Sequence, residues 1–113
     1  MAQGNIALLT KSFTATGTLA QYQPVQATGA AATAAGNAVG FANVAASSGD
    51  LYPAVVAGTS LAVAGAAITA GSLVEVHTTV TQVVTKTSGV AIGRALSAAS
   101  TAGDIIEVLL IPN

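Results

Sequence analysis

Val39-Gly40-Phe41-Ala42-Asn43-Val44-Ala45-Ala46-Ser47-Ser48-Gly49-Asp50-Leu51 returns near the end of the chain as Ile92-Gly93-Arg94-Ala95-Leu96-Ser97-Ala98-Ala99-Ser100-Thr101-Ala102-Gly103-Asp104-Ile105, with one extra residue before the second Gly-Asp. Both copies read apolar-Gly, then small residues, then Gly-Asp, then an apolar run. Upstream, 19–28 (LAQYQPVQAT) and 68–77 (ITAGSLVEVH) hold the same place relative to each copy, although the segments in between differ in length by four residues. The pattern is that of one supersecondary unit used twice, at about 19–57 and 68–111, since neither half alone is long enough to bury a core.

Short β-branched and apolar runs, bounded closely by Gly, Pro, Ser and Asn, predict strands near 5–11, 24–28, 38–43, 51–57, 60–64, 72–77, 82–87, 90–96 and 104–111. No amphipathic stretch of helical period competes. The fold class that follows is all-β: a small single-domain β-barrel or β-sandwich built from two similar units. Residues 30–38 (AAATAAGNA) read as a flexible small-residue loop, and Thr78 to Thr81 as the turn of a hairpin. The closing run Ile105 to Ile111 is apolar except at Glu107, which predicts a strand covered on both faces. Residues 1–10 fall outside the repeat and read as an extended N-terminal arm on a domain spanning 11–113. Its Ile6, Leu8 and Leu9 call for burial, on an edge of their own sheet or on a partner's.

Composition limits what such a domain does. Charged residues make up 6% of the 113 positions, against roughly 25% in an ordinary soluble domain, and hydrophobic residues 52%. With a formal net charge of −1, little repulsion keeps copies apart, so the surface is expected to be covered by neighbours. Three scattered cations give no basic patch for nucleic acid. The first ten residues lack the pattern of a secretory leader, which predicts synthesis in the cytoplasm. The rival reading uses the uncharged stretch 51–74 in a small membrane-associated protein. Pro53, Gly58, Gly65 and Gly71 break that stretch, and its bulk is Ala and Val, so short strands are preferred.

Candidate chemistry is sparse. His77 is the sole histidine, and Glu75 beside it on a strand makes two metal ligands without a third, so both read as a solvated strand face. Asp50 and Asp104 each follow Gly and precede an apolar run, which marks turns rather than a catalytic pair. Lys11-Ser12 lacks the glycines of a phosphate loop. With few aromatic groups to line a pocket, the chain is expected to have no catalysis, cofactor, metal or small-molecule substrate.

Gln23-Pro24-Val25, Val39 to Ala42, Ala66 to Leu73 (AAITAGSL), Ile92 to Ala95 and Gly103 to Leu110 together resemble the small capsid cement, or decoration, proteins of tailed bacteriophages. The resemblance covers the chain from about Phe13 onward. It departs at Gly71-Ser72, where the family often has Gly-Asp. It implies a β-rich protein of the virion that binds the major capsid protein on the outer surface of the head, commonly as a homotrimer, and reinforces the shell. On that reading, contacts to the capsid or between subunits are expected from Gln3, Asn5, Ile6, Leu8 and Leu9 of the arm and from Ile106, Val108 and Leu110 of the last strand.

Overall fold

The computed structural model describes residues 6–111; of the expected contact residues, Gln3 and Asn5 lie outside them. The described residues form eight strands and no helix: β1 (Ala7–Thr14), β2 (Pro24–Val25), β3 (Gly40–Ala42), β4 (Leu51–Val63), β5 (Leu73–Val76), β6 (Val83–Thr85), β7 (Gly93–Ala95) and β8 (Ile105–Leu110). They make one sheet in the order β2-β3-β4-β8-β7-β5-β6, with β1 on a further edge of β4. All strand pairs are antiparallel, and a parallel bridge from Val83 back to Ala64 draws the β6 end of the sheet onto β4, nearly closing a barrel. The stretches 51–57 and 60–64, expected as two strands, are one.

The repeat is written in the backbone hydrogen bonds. Ala15 N–H donates to Asp50 O and Gly49 N–H to Ala15 O; Ala64 N–H donates to Asp104 O and Gly103 N–H to Ala64 O. Leu19 and Ala46 exchange a pair of bonds, as do Ile68 and Ala99. Gly40 and Gly93 meet the same constraint in each unit: a Cβ there would lie 2.3 Å from Val55 O and 2.8 Å from Leu109 O. The equivalence extends to β1, which has no counterpart at the level of sequence. β1 pairs with the first half of β4 from Thr14–Leu51 to Ala7–Gly58, as the second half of β4 pairs with β8 from Val63–Ile105 to Thr59–Leu109. Strand β4 is therefore the last strand of one unit and the first of the next.

Sharing a strand requires a change of phase in its middle. The register between β1 and β4 shifts twice, at Ala7/Leu9 and Leu9/Thr10, opposite Gly58, whose φ is +94°. Before that point Tyr52 and Ala54 enter a first core with Leu19, Val25 and Ala42. After it, Ala62 and Ala64 enter a second core with Val74, Val76, Val83, Ile92, Ile106 and Val108. The alternation of side chains along a strand places these cores on opposite faces of β4. Phe41, next to Ala42 on β3, fits this by belonging to the second core.

Residues 30–38 are a loop, as expected, but not a free one. Ala32 and Ala38 are buried in the second core, Ala35 N–H donates to Val76 O, and Val90 N–H donates to Ala35 O. The loop is the seam between units, and small side chains let two backbones approach. The β5–β6 hairpin turns at 77–82, where His77 N–H donates to Gln82 O.

Gly58→Ala is expected to lower stability by about 1–3 kcal/mol, because its positive φ is strained for alanine and the new Cβ would sit 2.2 Å from Ile6 O. Thermal unfolding measures it, and an unchanged midpoint would remove Gly58 from its place as the hinge of β4.

Candidate interaction surface

Side chains with chemical potential are spent on structure. The Glu75 carboxylate, expected on a solvated face, is buried, and its Oε1 accepts the N–H groups of Thr87 and Gly89 at 2.8 and 2.9 Å. The correction has a physical reason: the two bonds replace the water that burial removes, and they tie loop 87–89 beside Ala35. His77 Nδ1 accepts Thr79 N–H in its own turn. Asp50 Oδ2 accepts Ser47 N–H, and Asp104 accepts the N–H groups of Ser100 and Thr101 and the Ser100 hydroxyl. Those bonds to Ser100 and Thr101 hold the Asp104 carboxyl below its ordinary value of 3.8. Among the described residues no three His, Cys, Asp or Glu side chains converge to hold a metal.

What the fold exposes is apolar. On β1, Leu8 is 77% exposed, with Leu9 and the preceding Ile6 also open, and Leu51 at the start of β4 is 75% exposed. Leu8 and Leu9 of the arm thus lie on an edge strand of their own sheet, with Ile6 just before it, yet their side chains remain uncovered. Further along β1, Lys11 Nζ sits 5.3 Å from the centre of the Phe13 ring, which in turn tilts against Tyr52.

The last strand needs a correction of phase. Ile106 and Val108, expected as contacts, are fully buried in the second core, and Leu110 is half-buried, lining a groove of about 280 Å³ with Val39, Val56 and Gly58. The residues of β8 that face outward are Ile105 and Leu109, which this chain leaves partly exposed. Sequence carried the signal: Glu107 is the polar position, and in a strand its neighbours at two residues' distance share its face. Thr59 joins the two open regions. Its Oγ1 accepts Ile6 N–H and donates to Glu107 Oε2, each at 2.7 Å, placing the start of β1 beside the outer face of β8.

The stretch 51–74 is strand β4, a turn and the start of β5, and no helix among the described residues is long and apolar enough to cross a membrane.

The family model described as phage cement protein matches residues 2–110. No curated protein matches the chain. Among solved structures, the fold is similar to the head fiber gp8.5 N base in bacteriophage phi29, with a TM-score of 0.72 at 16% identity over 91% of this chain and 93% of that one.

Two measurements follow. Ile106→Ala should cost about 2–5 kcal/mol by leaving a cavity, whereas Ile105→Lys should change stability by no more than about 0.5 kcal/mol, both read by chemical denaturation. Asp104, its carboxyl pKa depressed in the fold, stabilises above the ordinary carboxylate range and loses that contribution as pH falls through the folded pKa. Between about pH 6 and pH 2 the melting temperature should fall less steeply in Asp104→Asn than in the wild type.

Proposed function

Since the chain belongs to the phage cement protein family, a family of structural phage proteins, we propose that it decorates the outer surface of the phage head and binds the major capsid protein there as a homotrimer. The observation that carries this reading is the apolar strip of Ile6, Leu8 and Leu9, exposed on a chain with a net charge of only −1. A strip of that kind on a near-neutral body marks a surface made to be covered. The structural likeness to a head fiber base supports the fold of the reading, and the arm and the outer face of β8 supply its contacts.

Cement of this kind works by mass action. A protein bound to the assembled lattice, and not to separate shell subunits, has to be released before the lattice opens, so its binding energy adds to the stability of the closed shell. Contacts with several shell subunits at once multiply the effect. Neutral, Thr- and Ala-coated surface serves such contacts without the desolvation cost of charge.

Purified protein should co-sediment with mature heads and raise their temperature of rupture, while leaving unexpanded shells unbound. Leu8→Lys with Leu9→Lys should lower head occupancy by about tenfold or more without changing the protein's own unfolding midpoint. Wild-type protein absent from the head fraction would reject the reading.

A further inference from the structure

Among the described residues, strand β1 has a main-chain edge on which no strand lies, approached near its end by Gly29, where a Cβ would sit 2.3 Å from Thr14 O. Successive residues of a strand turn their N–H and C=O groups to opposite edges. Ala15 bonds Asp50 and Gly49, and Phe13 stands opposite Tyr52, so 11, 13 and 15 face β4. Thr10, Ser12 and Thr14 therefore face away, to an edge where no described strand lies. The other end strands are two and three residues long, and each is bridged on its outer side, Val25 by Ala31 and Val83 by Ala64. Among the described residues, β1 is the long edge left open.

The second unit displays what occupies the equivalent edge. There the second half of β4 stands where β1 stands in the first, and its edge away from β8 is met by extended main chain at both ends. Thr59 N–H donates to Ile6 O, and Gly65 N–H donates to Val83 O at the base of the β5–β6 hairpin. The first unit cannot reach as far. Only three residues separate the hairpin pair Gln26 and Ala30, whereas eight separate the equivalent Glu75 and Val84. It closes instead through a side chain, the Tyr52 hydroxyl donating to Gly29 O at 2.9 Å.

We propose that an extended segment of the head's shell subunit adds to β1 as a further strand, bonding Thr10 and Ser12 through its main chain. The inference rests on the cement reading above and names its mode of contact. Apolar side chains of the incoming strand cover Ile6, Leu8 and Leu9, and a carboxylate on it meets Lys11. A second copy of this chain is the poorer occupant. Its one long free edge is β1 itself, and two such strands (ALLTKSFT), paired about a two-fold at Ser12, bring Lys11 diagonally toward its own copy with no carboxylate on either.

Ser12→Pro tests this, since Ser12 opposes Pro53 with its N–H turned away from β4, so the change removes a donor from the free edge alone. It should keep the wild-type unfolding midpoint and lose head affinity at least about tenfold, while Ser12→Ala binds as wild type. On wild-type protein, the amides of Thr10 and Ser12 should exchange with deuterium quickly when free and slowly on heads, a readout that needs no variant. Head binding by Ser12→Pro within twofold of wild type, or unchanged exchange on heads, overturns the proposal. So does a Ser12→Pro variant that dissociates an oligomer of the free protein, which would assign the edge to a second copy. Failure of the wild type to bind heads rejects the cement reading instead.

Discussion

The fold depends on one strand doing the work of two. Strand β4 closes the first unit and opens the second, and a change of phase between Val55 and Gly58 turns its inward side chains from one core to the other. Without that change, Ala62 and Ala64 would carry on along the face of Tyr52 and Ala54, and the second unit would have no core to stand on. The sheet of β3 and β4 is consequently buried on both sides: Ala42 and Ala54 meet the first core while Phe41 meets the second. Its small residues follow from being pressed between two cores that must come close.

The same economy governs charge. The chain has four carboxylates, and each is engaged inside the fold: Asp50 and Asp104 in turns, Glu75 on loop 87–89, and Glu107 with the Thr59 hydroxyl. None of the four remains wholly free to face water, so the outside is left to Thr, Ser, Ala and the open apolar side chains of β1 and β8. A body of that kind gains little from solvent and much from a neutral partner. The family's role and the molecule's surface chemistry thus agree for a physical reason.

Much of this was legible in the sequence because strands announce themselves over short distances. Gly, Pro and Asn punctuation located every strand, and the repeated Gly-Asp identified equivalent turns at Asp50 and Asp104. What escaped were properties set by distant partners. Nothing local distinguishes Glu75 in a buried pocket from Glu75 on a wet face; the groups that hold it lie 12 and 14 residues on. The phase of β8 was readable from Glu107 alone, yet an almost uniformly apolar run hides its alternation. The equivalence of β1 with the second half of β4 has no sequence trace, because it is a likeness of pairing and not of side chains.

Two ladders meet on β4 and differ in what they join. One holds β1 by seven paired residues and the other holds β8 by five, on successive halves of the same strand. Both of these partner strands carry exposed apolar residues. A tension drawn along the strands between a contact on β1 and one on β8 would pass through β4 lengthwise, loading each ladder in shear, so that its bonds share the force rather than parting one at a time. A duplicated sheet threaded on one strand is, in mechanical terms, a lap joint.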